Sequence, residues 1–545
     1  MAKILIINPR VREEDVPRHV PYGLALLAAV AMEKGHLVQV YDENAWRQGE
    51  DTIREVCQAD DWTIIALGGI TTCYNSLKEC VKWAREACPS ATIVVGGGVI
   101  TSLPHEMLTW MPEIDVGCVG EGMVTFPEIC QMVDNDVRDW TQIDGTISRR
   151  QDGSLALSNA RKLVHDLDSW PYPAWDLFPL EEVYLQNSEM LYSEEGMLAS
   201  RRLDINASYG CSLICRYCYH LGLSGDMKYE QNEAGENIAV HFDEPGDYTR
   251  AIRYHSPEYI VRMAKHMYDK YRINFVAFLD ENLMTMDKFS GRTWMEEICR
   301  LWHEYGLVPK KNEDGTWEGV HWSGTSHATL STPEILKTMR AAGCSHLVYG
   351  YESFAPHVLK TIGKGSSVKT NEKSFFATLE TGIRPIPNMI IGFPNEDFDS
   401  IKMNIAAWDR LGIMVKPHFA TPYPGSEWFT TFRDSIVEQY DGYLEKFISS
   451  LGDASAISAV ISHNFNAVEL LGLRELMLQR DIRSIDAYER QWRRNHKVPD
   501  DHPSTLVPEL KTAKVARTKG VGAGNILNFE ETGNADHTSA VKAST

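Results

Sequence analysis

Short apolar runs separated by helix-patterned stretches recur along most of this chain, and that alternation buries strands in parallel sheets covered by helices. In residues 1–135 the runs are Ile4–Ile7, Leu37–Tyr41, Thr63–Leu67, Thr92–Val95 and Ile114–Val119. Between them, Gly23–Lys34 and Tyr74–Cys88 carry helical periodicity, with Leu77, Cys80, Val81, Ala84 and Cys88 on one face of the second. The pattern predicts an α/β fold that opens with a doubly wound, Rossmann-like parallel sheet. Such sheets bind ligands at the carboxyl ends of their strands, and here those ends are glycine-rich: Gly68-Gly69, Gly96-Gly97-Gly98 and Gly120-Glu121-Gly122. One glycine turn would mean only a tight bend; three together favour a bound cofactor.

Residues 141–200 break the alternation, and Trp170-Pro171-Tyr172-Pro173-Ala174-Trp175 reads as an extended connection lying on another surface. From Arg201 the pattern resumes, with strands expected near Ile205–Ser208, Phe275–Leu279, Gly319–Gly324, His346–Tyr351, Ile386–Ile391 and Val415–Thr421. Helices start at Ser256-Pro257-Glu258 and Thr332-Pro333-Glu334, each a cap followed by Pro at the first helical position, and Gly343 closes the second. Six strand–helix units are too few for a closed eight-stranded barrel and suit an open, partial β/α barrel. The polar, acid- and glycine-rich stretch Leu223–Arg253 reads as a loop over this domain. The expected organisation is a first domain at 1–140, a linker at 141–200, a partial barrel at 201–440, a helical C-terminal region at 441–497 and a disordered tail at 498–545. Within the helical region the pattern is clearest over Val468–Arg483.

The 545 residues include 54 Lys and Arg against 75 Asp and Glu, a formal net charge of −21. This balance argues against a nucleic-acid or anionic-membrane partner, because both need a basic face. The longest nearly apolar run, Val20–Met32, is interrupted by Pro21 and Gly23 and falls short of the roughly 18 residues of a spanning helix. The opening residues form a strand rather than a signal peptide, so a cytoplasmic location is expected. The eleven cysteines are then expected to be mostly reduced core thiols, and any cluster among them reads as metal-binding.

One cluster exists. Cys211, Cys215 and Cys218 lie in Asn206-Ala207-Ser208-Tyr209-Gly210-Cys211-Ser212-Leu213-Ile214-Cys215-Arg216-Tyr217-Cys218-Tyr219-His220, directly after the first strand of the second domain. Random placement of eleven cysteines would give roughly 0.004 such triplets in a chain of this length, so accident is a poor explanation. Three thiolates leave the fourth position of a metal centre open, as a catalytic centre requires. A structural zinc would instead recruit a fourth ligand, with His220 or a distant cysteine available. The other reading is a 4Fe-4S cluster with one open iron.

The spacing C-x-x-x-C-x-x-C, with an aromatic residue before the third cysteine, resembles the radical S-adenosylmethionine (SAM) superfamily and favours the iron–sulfur reading. Further resemblances follow in order: Phe278-Leu279-Asp280-Glu281-Asn282, then Ala342-Gly343-Cys344 with Gly350-Tyr351-Glu352-Ser353. Asn388-Met389-Ile390-Ile391-Gly392-Phe393-Pro394 with Glu396, and Pro422-Tyr423-Pro424-Gly425-Ser426, complete the series. The resemblance implies that these strand ends hold SAM. Tyr217 would lie near adenine, Asp280, Glu281 and Asn282 near the methionine moiety, Glu352 near ribose, and Gly392 among the cofactor contacts. For Asp280 and Glu352 a purely structural hydrogen bond is the competing role.

The first domain resembles the cobalamin-binding domain of one branch of that superfamily, through Asn8-Pro9, Pro21-Tyr22-Gly23-Leu24, Gly35-His36 and the glycine turns. Tyr22, Gly23, Gly97, Gly98, Gly120 and Glu121 are the implied cobalamin contacts. The D-x-H-x-x-G motif that supplies a cobalt-ligating histidine elsewhere is absent, and His19, His36 and His105 lack its context. Cobalamin would then sit without a protein imidazole on cobalt, which favours homolytic methyl transfer. The branch implies a methyltransferase that abstracts hydrogen with a SAM-derived radical and delivers methyl from cobalamin to a small biosynthetic intermediate. It also implies a one-electron donor such as flavodoxin or ferredoxin. Two alternatives stay open: a cyclase or rearrangement enzyme with the same cofactors, and a non-catalytic cobalamin- or metal-binding regulator. The opening stretch, Asn8 to Arg12 and Val16 to Gly23, is similar to the P-methylases of phosphinothricin-type antibiotic pathways. An anionic phosphinate would want cations, for which His327, Arg384, Lys416 and His418 are candidates.

Overall fold

The computed structural model describes residues 1–13, 15–188, 193–213, 215–219, 227–241, 252–291 and 293–498. Ile214, His220, parts of the 223–253 segment and the tail from 499 lie outside the described residues.

Five apolar runs form the strands β1 (Lys3–Asn8), β2 (Leu37–Asp42), β3 (Ile64–Gly68), β4 (Thr92–Gly96) and β5 (Val116–Cys118). They lie parallel in the order β2-β1-β3-β4-β5, with Ile4 of β1 opposite Val38 on one side and Ile64 on the other. All five residues of β3 are buried, as expected for a strand covered on both faces by helices. The strand order reverses around β1, which opens a crevice at the carboxyl ends of β1 and β3.

The stretch 141–200 is more than a connection. It contributes β6 (Thr146–Arg149) and β7 (Leu155–Leu157), which continue the sheet antiparallel beyond β5. The Trp170–Trp175 segment lies between the domains as its sequence suggests. Ala174 donates its N–H to Ala25 O of the first helix (Tyr22–Glu33) at 2.9 Å, while Tyr259 Oη of the barrel helix Pro257–Tyr271 donates to Trp170 O at 2.9 Å. Edge-on ring contacts of Trp170 with Tyr209, Tyr172 with Tyr259 and Trp175 with Tyr271 complete this joint.

The second domain begins with β8 (Arg202–Ile205) and β9 (Ser208–Tyr209). The polar segment expected to be a loop then supplies a hairpin, β10 (Lys228–Gln231) and β11 (Asn237–His241), whose Asn237 pairs with Leu157 of β7. It therefore extends the first sheet. Its turn is closed by Gly235 N–H to Asn232 O at 2.9 Å, with Gly235 at φ +80°. At a sheet edge β10 carries Lys228, Glu230 and Gln231 around one aromatic, Tyr229, so hydrophobic alternation could not announce it. Next, β12 (Arg253–Tyr254) returns to pair with β9.

The barrel proper adds β13 (Phe275–Phe278), a short hairpin of β14 (Lys310–Lys311) and β15 (Trp317–Glu318), then β16 (His321–Ser326), β17 (Cys344–Glu352), β18 (Arg384–Ile391) and β19 (His418–Phe419). Six strands run parallel in the order β19-β18-β17-β16-β13-β8, an open half-barrel. Gly343 turns the chain into β17 at φ +97°, where a Cβ would stand 2.5 Å from the Pro309 ring. The C-terminal region is helical, but the expected Val468–Arg483 helix is two: Ala467–Gln479 and Ile482–His496, divided by Arg480 at φ +55°. Among the described residues no helix is long and apolar enough to cross a membrane.

A buried ion pair ties the two sheets together. Arg253 on β12 donates to Glu121 Oε1, beyond the end of β5, at 2.7 Å, with both side chains at most 10% exposed. Breaking one partner of such a pair costs about 3–5 kcal/mol because the other charge stays buried. Arg253→Met should therefore lower the urea midpoint by that amount of stability, and the double variant Glu121→Leu/Arg253→Met should recover much of it.

Candidate active site

Beyond β9 the chain enters the cysteine loop, and its root is set by a carboxylate. Asp280, at the end of β13, accepts the Ala207 N–H at 3.1 Å and the Ser208 hydroxyl. Burial pushes its pKa up to about 6. Its contacts are those of a structural anchor rather than a cavity wall.

The loop opens onto a cavity of about 210 Å³ at the carboxyl ends of the half-barrel strands. Cys211, Cys215, Tyr217, Cys218, Glu281, Asn282 and Glu352 all line it, so seven of the residues singled out in the sequence meet in one place. Both amide atoms of Asn282 are buried there without a hydrogen-bond partner among the described residues. Such orphaned groups are costly unless a ligand completes them. Glu281 is open to the cavity, and burial followed by the neighbouring Asp280 raises it to about 7. Cys215 is drawn down to about 7, first by a hydrogen bond with Cys218 and, against burial, by the Lys364 cation.

Glu352 is delivered by local strain. A register shift in β17 between Gly350 and Glu352 turns the side chain, and Glu352 itself takes φ +61°. Its Oε1 accepts from Tyr217 Oη at 2.9 Å and from Lys364 Nζ at 3.0 Å. Gly350 leaves room for this pair: a Cβ there would stand 2.3 Å from Glu352 Oε1 and 2.7 Å from Lys364 Nζ, so both side-chain ends would have to move.

Lys364 escaped the sequence reading; its only signal is the flanking pair Gly363 and Gly365. Of the four cations proposed for an anionic acceptor, only His327 lines the cavity. It is a neutral ring, lowered to about 4 by burial and by Lys364, with Nε2 3.1 Å from Lys364 O and Nδ1 2.8 Å from Thr329 Oγ1. Arg384 begins β18 and so lies at the amino end of the sheet, away from the cavity, while Lys416 and His418 are exposed. Periodicity placed these residues near strands but could not tell which end of each strand faces the site.

Gly392, φ +96°, follows β18 outside the cavity lining. Its N–H is taken by the fully buried Glu396, which burial pushes up to about 8. The native state then binds more protons than the unfolded chain between that value and the usual 4.5, so stability falls as pH rises through this window. Glu396→Gln should flatten that fall, read as a urea midpoint that changes less between pH 5 and 9 than the wild type's.

The glycine turns form a second surface beside this cavity. Gly69 N–H bonds Gly96 O, and Val99 N–H bonds Gly69 O, both at 3.3 Å, so the turns after β3 and β4 are knitted backbone to backbone. At Gly97, φ +90°, a Cβ would stand 2.5 Å from Gly69 O. Beside Gly23 a Cβ would meet nothing within 4 Å. The result is a glycine-walled cradle at the strand ends, with the Tyr219 and Met227 side chains against Gly98 and Gly120. Gly120 joins it, but the Glu121 carboxylate is taken by Arg253 and by Val164 N–H at 3.2 Å. Tyr22 points away from the cradle into the domain joint, buried near Tyr209, Tyr259 and Asp280. His36 Nδ1 lies 3.1 Å from Ala2 N and His19 pairs with Asp204, both in structural roles.

Tyr219 connects the two surfaces. It lines the cysteine cavity, a Cβ on Gly98 would lie 3.8 Å from its hydroxyl, and its ring packs on Gly425, where a Cβ would stand 2.4 Å from Cε2. Ser102 holds the same junction, donating to Gly98 O or Pro424 O at 2.7 and 3.2 Å.

Comparison with known proteins bears directly on these two surfaces. Residues 12–130 match the B12 binding domain, and residues 205–406 match the radical SAM superfamily. The chain thus carries a B12 binding domain followed by a radical SAM domain. Its cofactors are a 4Fe-4S cluster, SAM and cobalamin. An uncharacterized methyltransferase of Pyrococcus horikoshii is 24% identical over 78% of this chain and 82% of its own. The anaerobic magnesium-protoporphyrin IX monomethyl ester cyclase of Synechocystis is 23% identical over 78% of this chain and 77% of its own. Among solved structures, the radical SAM methyltransferase TsrM of Kitasatospora setae, with cobalamin and a 4Fe-4S cluster bound, superposes with a TM-score of 0.60. That match covers 80% of this chain and 79% of TsrM at 14% identity, and so speaks to the fold.

Proposed function

We propose that this cobalamin-dependent radical SAM protein is a methyltransferase, moving a methyl group from SAM by way of cobalamin to a small acceptor. The acceptor atom would be an unactivated carbon or, as the reading we favour, the phosphorus of a phosphinate in antibiotic biosynthesis. The observation that carries the two-cofactor reading is the reach of Tyr219, which touches both the cysteine cavity and the glycine cradle; the likeness to the Pyrococcus methyltransferase supports methyl transfer as the outcome. The P-methylase reading rests on the opening stretch Asn8–Arg12 and Val16–Gly23.

In this reading Cys211, Cys215 and Cys218 hold three irons of the cluster. The unpartnered amide of Asn282 meets the methionine moiety, with Glu281 beside it. Tyr217 and Lys364 both engage Glu352 Oε1, which leaves Oε2 for the ribose hydroxyls. Gly23, Gly97, Gly98 and Gly120 let the cobalamin approach the backbone. When bound, the cluster and SAM supply a radical route to hydrogen abstraction, and cobalamin supplies a transferable methyl group. The protein orients these groups and keeps water from the space between them. A flavodoxin- or ferredoxin-class donor supplies the electron.

The cyclase likeness, at nearly the same identity and coverage as the methyltransferase, keeps one second reading: ring formation or rearrangement without methyl transfer. An anaerobic incubation of the protein, reconstituted with iron, sulfide and cobalamin, with methyl-labelled SAM and paired phosphinate and carbon acceptors separates them. Methyl transfer requires label in the product together with S-adenosylhomocysteine; label on phosphorus selects the phosphinate. Deoxyadenosine release with an unlabelled product would favour the second reading. The Cys211/Cys215/Cys218→Ala triple variant should lose both iron and activity.

A further inference from the structure

Lys364 is a buried cation in a position that neither the motifs nor the family resemblance accounts for. It is 9% exposed, lines the cavity with the three cysteines, and lies 3.0 Å from Glu352 Oε1 and 3.1 Å from Tyr217 Oη. Its ammonium also lies 5.8 Å from the centroid of the Tyr217 ring. Several features hold it there. The backbone carbonyl of Lys364 accepts from His327 Nε2, the flanking Gly365 is at φ +70°, and the missing Cβ of Gly350 makes room for Nζ. Folding spends strain and packing to keep a charged amine out of water, when a methionine would fill the same volume more cheaply.

Glu352 alone does not explain the expense. A carboxylate could be oriented by Tyr217 and a neutral donor. Lys364 also shares the cavity lining with all three cysteines, and Tyr217, to which its ammonium bonds, lies between Cys215 and Cys218 in the chain. The Glu352 carboxylate 3.0 Å away favours the charged form of the amine.

We propose that Lys364 is a positioning residue for the cluster's redox chemistry: a fixed buried charge that makes the cluster held by Cys211, Cys215 and Cys218 easier to reduce. This rests on the assignment of the cluster to those cysteines. Uptake of one electron from a low-potential donor adds one negative charge beside the cysteine loop, and no bond is made or broken. A buried cation nearby favours that added charge, and in a medium of low dielectric the effect is not screened as it would be at the surface. Glu352, the other member of the ion pair, acts in the opposite sense. The pair thus couples the ribose end of the SAM site to the electron-accepting end.

The test is an EPR-monitored redox titration of the reconstituted full chain, without SAM, for wild type, Lys364→Met, Lys364→Arg and Glu352→Gln, each with its iron and sulfide content measured. Lys364→Met should shift the midpoint to more negative potential, Lys364→Arg should stay near wild type, and Glu352→Gln should shift it the other way. Equal midpoints for wild type and Lys364→Met, both with full iron, would overturn the proposal. If Lys364→Met fails to assemble, the direction of the Glu352→Gln shift decides: no shift, or a negative one, overturns it. The triple cysteine variant guards the underlying assignment, since iron and signal retained there would refute the cluster site and not the electrostatic argument.

Discussion

The arrangement of the molecule depends on one buried contact, the ion pair between Glu121 and Arg253. Glu121 directly follows Gly120 of the glycine cradle, and Arg253 lies on β12, the strand that pairs with Ser208 and Tyr209 at the root of the cysteine loop. The guanidinium also stands 5.4 Å over the Tyr209 ring. A charge pair that is expensive to bury is thus placed where an error in domain docking would pull the two ligand surfaces apart. Around it, the Trp170–Trp175 segment supplies the apolar part of the joint, and Ser102 and Tyr219 close the gap at the barrel mouth.

Within the barrel the same logic is applied at shorter range. Asp280 fixes the backbone before the cysteines, while a strand irregularity and a left-handed Glu352 bring a carboxylate to the opposite wall. Each device is unfavourable locally and is over-determined by its surroundings, which is the usual condition of a site that must not relax. The amide of Asn282 belongs with them, because it is buried with no hydrogen-bond partner among the described residues.

Much of this was legible in the sequence, for a physical reason. Parallel strands are buried on both faces, so β1, β3 and β4 stand out as continuous apolar runs, and the cysteine spacing is too improbable to miss. What was not legible depends on tertiary placement. Strand β10 is mostly polar and lies at the sheet edge, and β11 is a short run inside a polar stretch. Arg384 reads as a strand cation, but whether it begins or ends its strand relative to the cavity is decided by the direction of β18. Glu121 and Tyr22 resemble cofactor contacts in sequence and are taken up by the domain joint in the fold. Lys364 lies in a loop without periodicity, and only the approach of β17 to that loop reveals its role.

The central claim is that the cysteine cavity and the glycine cradle face one another across a single aromatic side chain. The most direct test is pulsed dipolar EPR on the full chain carrying both a reduced cluster and cob(II)alamin, the two paramagnetic centres that would occupy those surfaces. The account predicts strong, well-defined coupling between the two spins, broadened or shifted when Tyr219 is replaced by Ala. Two independent signals with no resolved coupling, from a protein containing full complements of both centres, would contradict it.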